Sequence, residues 1–354
     1  MESMDPAAIQ PSSSGFEADL RARGAILNGR HVLHFGNREG ELAALPTAPT
    51  VHPLLTDSLL LVSGADAEAF LQGQLSNDVR ELDGRRAQLT AYCTPQGRML
   101  ATLLAWRAGD GYLLQLPREL ADGIRVRLQR YVLRARVQVT DATAGKGLIG
   151  LGGPGAGTLL SELFGEAPGR PMATTDAGKS TLIALGDDLF ELVTDTGQAI
   201  LLWDHLVLHA RPAGTQAWQW RLIAAPIPVI TTATQEQFVP QMANLEQLGA
   251  ISFSKGCYPG QEVVARSQYR GEVKRRLYRL HTQAFTADPG QSLYSADAQG
   301  QPVGVVVNAA PAPAGGQDLL AVVRTDRAEA GGLRLGSADG PVLQRLPLRH
   351  TDAA

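Results

Sequence analysis

The chain has 354 residues, 44% of them hydrophobic and 19% charged, and a formal net charge of -3. That length suits two or three domains, and that composition suits a folded chain rather than a disordered one. There is no overall basic field for nucleic acid, no apolar run of the roughly 18 residues that a membrane span needs, and only two cysteines, Cys93 and Cys257, too few for a disulfide scaffold or a four-thiolate metal or cluster site.

Residues 1–49 read as a peripheral tail and linker. Ser12-Ser13-Ser14-Gly15 has no apolar period, and Pro46-Thr47-Ala48-Pro49 interrupts regular structure. The segment lacks the basic and apolar regions of a secretory signal, and its acids argue against a transit peptide, so a cytoplasmic protein is expected. A first domain is predicted over 50–145. It starts with a strand at 59–63 and a helix opened by Asp66 as cap, with Phe70, Leu71 and Leu75 on its apolar face. Strands follow at 89–93, 99–107 and 112–116, then a helix over 118–131 and a strand at 135–140. This order, β-α-β-β-β-α-β, implies an antiparallel sheet with helices to one side, an α+β fold.

A second α+β domain is predicted over 146–217, with strands at 148–151, 180–184 and 190–193 and helices at 158–164 and 198–210. Residues 218–272 have few periodic elements and are expected to complete the first domain. From 273 to 354 the pattern is short strands with turns, at 276–282, 302–308, 319–323, 333 and 342–346, which suits a small β-barrel.

A long stretch without regular structure inside a compact domain is functional or misassigned. Its centre is Lys255-Gly256-Cys257-Tyr258-Pro259-Gly260-Gln261-Glu262. Two glycines and a proline present a thiol on a tight loop. Lys255 is one of only four lysines among the 32 basic residues; a nearby cation favours a thiolate, and so would the start of a helix after Glu262. These features make Cys257 a candidate reactive or ligating thiol and Lys255 its candidate activator; the alternative is a small packed hydrophobe. Cys93, on a strand, reads as core. Arg266, Arg270, Lys274, Arg275, Arg276 and Arg279 form a basic run that suits a folate tail, tRNA phosphates or an acidic partner, or else a solvated edge. A second cluster runs from Arg125 to Arg136. His205 and His209 have a metal-compatible spacing but no evident third ligand, and no permanently bound metal is expected.

The eight residues 255–262 resemble the K-G-C-Y-x-G-Q-E signature of the YgfZ family, which is related to the aminomethyltransferase (T-protein) of the glycine cleavage system. The likeness extends to Phe70–Val79, to 91–98, 131–135 and 238–245, and to Tyr269-Arg270-Gly271. The resemblance implies a three-domain cloverleaf around a central hole that holds a folate. It also implies a tetrahydrofolate-binding factor that supports assembly or repair of iron–sulfur client enzymes, tRNA-modifying ones among them, with tRNA itself a possible contact. That makes an accessory factor the first expectation. A folate-dependent one-carbon enzyme, or a tRNA- or partner-binding module without chemistry, are the alternatives. Carried onto this chain, the folate candidates are Trp218, Gln241, Asn244, Tyr258, Gln261, Glu262, Arg266 and Arg270. Where relatives have Glu-Ala-Gly, this chain has Ala224-Ala225-Pro226. Either another residue replaces that glutamate, or folate binds weakly or not at all.

Overall fold

The computed structural model describes residues 15–269, 273–295 and 300–348. Antiparallel pairing dominates, in one two-stranded, one five-stranded and two six-stranded sheets. The five-stranded sheet contains Asp57–Ser63, Ala87–Cys93, Met99–Ala108, Gly111–Pro117 and Gln138–Asp141. Its apolar alternation packs the helices Ala67–Gln72 and Arg118–Tyr131 onto one face, in the expected order. Asp66 precedes the first of these helices but does not cap it: its carboxylate accepts from the Arg136 backbone N–H at 2.8 Å, tying the sheet's last strand to the helix start.

The second sheet pairs Lys146–Gly152 with Leu189–Asp195, and Ser180–Gly186 with both Leu189–Asp195 and Thr174–Ala177. Thr50–Pro53, expected in the first domain, pairs with Lys146–Gly152 instead. The tail expected at 1–49 is folded from Phe16 onward. Helix Phe16–Ala22, hairpin Ile26–Asn28/His31–His34 and helix Arg38–Ala44 follow one another, and Phe16, Leu20 and Val32 are buried in the core of the second sheet. Elements of three to seven residues cannot stand alone in water, so only their tertiary partners make them ordered.

The third sheet runs Leu333–Leu335, Ser292–Ser295, Gly304–Pro311, Gln317–Arg324, Arg275–Thr282, Gln344–Leu346, and curls into an open half-barrel rather than a closed one. Helix Thr215–Ala224 lies where few periodic elements were expected. It has no single apolar stripe because its two tryptophans serve two neighbours. Trp218 is buried among residues of the first two sheets, whereas the Trp220 indole N–H reaches Asp318 of the half-barrel at 3.0 Å.

Candidate functional site

Two places in the fold carry chemistry, and they are separate. The first is the thiol loop. Gly260 has φ +84, and a Cβ there would meet Gly97 Cα at 2.5 Å and Thr94 O at 2.6 Å, so the loop lies directly on the Thr94–Gly97 turn. Helix Gln261–Tyr269 starts immediately after it. Cys257 is exposed in a shallow depression of about 460 Å³, shared with Pro95, Tyr258, Gln261, Glu262 and Ala265. Cys93 is buried, and burial pushes its thiol up to about 12.

Lys255 does not behave as the sequence suggested. It is buried, its ammonium donates to Leu75 O at 2.7 Å and Asn77 O at 2.8 Å, and it sits 5.3 Å from the Tyr258 ring centroid. Burial lowers its pKa to about 8. These contacts make it an anchor that fastens the loop to the segment 75–77, which also holds Ala250 O through the Ser76 hydroxyl and Gly249 O through the Asn77 amide.

Most of the expected folate residues lie at or behind this loop. Gln241 is fully buried, with its amide donating to Val264 O at 2.5 Å, which fixes the helix after the thiol. Asn244, at φ +55, bridges to the half-barrel through both the N–H and the C=O of Leu277. Glu262 and Arg266 form an exposed i,i+4 pair at 2.9 Å. Arg270 lies outside the described residues. The basic run is divided as well: Arg276 pairs with Glu246, and Arg279 with Asp318 at 2.9 Å.

The second place is a cavity of about 1230 Å³ where the first two sheets, the half-barrel and the N-terminal hairpin meet. Trp218 lines it and, among the described residues, is the one expected folate residue that does. Its ring packs where Gly150 leaves room, since a Cβ there would approach the indole to 2.6 Å. Beside the apolar walls of Leu103, Leu185 and Ile227 stand two buried polar side chains, Gln115 and Glu191, and the half-buried Asp57, none of which the sequence singled out.

Strand register explains their convergence. Leu59 pairs with Gln115, so Asp57 and Gln115 are diagonal neighbours on one face of the first sheet. Glu191 shares its face with Leu189 and Val193, which pack in the same cluster as Leu59 and Leu113. The Gln115 amide donates to Asp57 Oδ2 at 2.7 Å. Gln115 Oε1, Glu191 Oε2 and the Trp218 indole N–H are buried with no partner from the protein. Burial raises Asp57 to about 6, and burial followed by the charge of Asp57 raises Glu191 to about 8. A lone acid or amide within an otherwise apolar strand (Leu189-Phe190-Glu191-Leu192-Val193, or Leu113-Leu114-Gln115-Leu116) was the available signal.

Among the described residues no group of acids, histidines or cysteines could hold a metal, and no helix is long and apolar enough to cross a membrane.

This architecture is that of the glycine cleavage aminomethyltransferases. The GCVT N-terminal domain family matches residues 58–253. The aminomethyltransferase T of Bartonella henselae superimposes with a TM-score of 0.74 over 94% of this chain and 96% of that one; at 17% identity the likeness is one of fold. Closer in sequence is the tRNA-modifying protein YgfZ of Yersinia pestis (strain Pestoides F), 38% identical over 225 residues, 63% of this chain and 68% of that one. The protein of the same name from Shigella boydii serotype 4 (strain Sb227) is 37% identical over 242 residues, 66% and 74% of the two chains. The chain belongs to the YgfZ family.

Proposed function

We propose that this protein binds a reduced folate in the central cavity and uses the Cys257 thiol in assembling or repairing the iron–sulfur clusters of client enzymes, tRNA-modifying ones among them. The observation that carries the folate half is the set of orphaned polar atoms on Gln115, Glu191 and Trp218 inside an apolar cavity of about 1230 Å³. A buried polar group without a partner is costly unless a ligand supplies one. A pterin does so, since its pyrimidine edge presents N–H donors and a carbonyl acceptor to Glu191, Gln115 and Trp218. Asp57 orients the Gln115 amide, so the carboxamide oxygen stays turned to the ligand. Glu191 then takes the role that Ala224 lacks. When bound, reduced folate supplies a nitrogen that accepts or donates one-carbon units.

The thiol half rests on exposure and count. Cys257 is the accessible one of two cysteines, and a lone thiolate can hold a cluster only together with ligands from its owner. The cluster is therefore cargo, met at the depression beside Pro95 and Tyr258. The tRNA link rests on the name of the relatives.

The deciding experiment is titration with tetrahydrofolate, followed by tryptophan fluorescence and calorimetry. Wild type saturates. Trp218→Phe loses the fluorescence change and, lacking the indole N–H, binds about tenfold more weakly, but still gives a saturable heat. Gln115→Leu weakens binding about tenfold, as expected for one hydrogen bond to a desolvated group. No saturable signal and no heat would remove the folate half. Cys257→Ala keeps the fold and abolishes cluster-dependent activity of the client; retained activity would remove the thiol half.

One observation favours a second reading, one-carbon transfer catalysed in the cavity: a half-buried carboxyl such as Asp57, held near 6, is a competent general base at neutral pH. Turnover of an aminomethyl donor, lost in Asp57→Asn, is the result that would establish it.

A further inference from the structure

The helix Arg118–Tyr131 ends in a way that local energetics disfavours. Val132 closes it and is buried in the core of the first sheet, and Leu133 then turns the chain with φ +48. Helices that stop in this left-handed conformation usually do so on glycine or asparagine, because a larger side chain crowds its own backbone there. Packing recovers nothing, since Leu133 is 87% exposed. Strain and an exposed aliphatic side chain both work against folding, and such features gather at functional surfaces.

Around Leu133 the surface is apolar and basic. Val126 and Tyr131 are exposed as well. Of the arginines between 125 and 136, Arg125 pairs with Asp122 at 2.6 Å and Arg136 with Asp66 at 3.3 Å. Arg127 reaches the Tyr92 hydroxyl, and its Nε is buried without a partner. Arg130 and Arg134 are exposed and make no ion pair among the described residues. By the helical period, Val126, Arg127 and Arg130 share one side of the helix. The acid on that side, Glu119, lies about two turns before Val126 and accepts from Thr232 N–H at 2.7 Å. The helix dipole favours a cation in the last turn, but it gives no reason for Leu133. The patch also adjoins the thiol loop. Tyr92 neighbours both Tyr131 and Cys93, and Cys93 neighbours Tyr258, the residue after Cys257.

Resting on the client reading above, we propose that Val126, Arg130, Tyr131, Leu133 and Arg134 form the docking surface for an iron–sulfur client enzyme, which lays an acidic segment with one apolar side chain on it. Carboxylates answer Arg130 and Arg134, and the apolar side chain buries Leu133 against Tyr131. An RNA backbone would answer the arginines but leave Leu133 uncovered.

The test compares two variants of the full chain. Leu133→Gly should raise the melting temperature by about 2 °C, because glycine accepts the left-handed turn. It should keep tetrahydrofolate affinity within about twofold, yet bind a purified tRNA-modifying iron–sulfur client about tenfold more weakly. A gain in stability with a loss of function is the signature of strain kept for a partner. Arg130→Glu/Arg134→Glu should weaken the same complex about tenfold at low salt and by less at roughly 0.5 M, with the melting temperature unchanged. Both should lower the client-dependent modified nucleosides in the tRNA of cells that carry them. A Leu133→Gly protein less stable than wild type would show that the leucine serves the fold. Wild-type client binding in both variants, with Cys257→Ala inactive, would overturn the surface and leave the thiol reading standing. If Cys257→Ala is active as well, that reading falls and the surface with it. With client binding unchanged, tRNA gel shifts lost only on charge reversal would assign the arginines to RNA. A dimer in sedimentation that Leu133→Gly dissociates would assign the patch to a second copy of this chain. Either result would overturn the proposal.

Discussion

The buried acid at position 191 offers the sharpest test of the cavity. Glu191 is 4% exposed and its carboxyl is raised from 4.5 to about 8, by burial first and by the charge of Asp57 second. Between those two values the unfolded chain carries an ionised Glu191 while the folded chain keeps it protonated. Folding therefore takes up one proton, and the stability this group contributes is complete below 4.5 and lost as pH rises toward 8. One proton is worth about 1.4 kcal/mol per pH unit, so the loss over the whole interval is on the order of 5 kcal/mol. Asp57 acts in the same direction but only up to about 6, which leaves Glu191 isolated between 6 and 8. In Glu191→Gln that proton is absent. Urea unfolding of both proteins at pH 6, 7 and 8 should show the variant gaining on wild type by about 1.4 kcal/mol per unit, then levelling off. Difference infrared spectroscopy should show a protonated-carboxyl band at pH 7 that the variant lacks. Parallel stability profiles together with no such band would mean that Glu191 is solvated and ionised, and that the cavity does not hold a neutral acid.

Two further outcomes concern the thiol loop. Lys255→Met leaves Leu75 O and Asn77 O without their donor, offset in part by removing a desolvated ammonium, and should cost about 2 kcal/mol; a variant as stable as wild type would show that Lys255 is no anchor. Gly260→Ala combines a left-handed backbone at φ +84 with a Cβ 2.5 Å from Gly97 Cα, and should cost about 3 kcal/mol. Hydrogen exchange should place that loss first in helix Gln261–Tyr269, and unchanged protection there would refute the packing of the two turns.

Local chemistry in the chain carried much of this molecule. The helix at Arg118–Tyr131 and the strands flanking the turn at 94–97 follow from apolar periodicity and from turn residues, and they form where expected. The thiol loop was legible because glycine, proline and cysteine at that spacing have few uses. Helix Thr215–Ala224 was not, since a helix that serves two partners on different sides shows no stripe. The role of Lys255 was misread for a related reason. Its position beside Cys257 in sequence says nothing of the carbonyls of Leu75 and Asn77, some 180 residues earlier, that claim its ammonium.

Family, α+β class and the loop that carries the exposed cysteine thus follow from residues that are neighbours in the chain, because turn geometry and side-chain alternation act over a few residues. The cavity does not. Asp57, Gln115, Glu191 and Trp218 come from three strands and a helix, and Arg30 from a hairpin that packs against the start of that helix. Sheet register sets which face each side chain takes, and the packing of the first sheet on the second sets which faces meet. Burial produced by that packing turns an ordinary glutamate into a neutral acid and leaves Gln115 Oε1, Glu191 Oε2 and the Trp218 indole N–H without a protein partner.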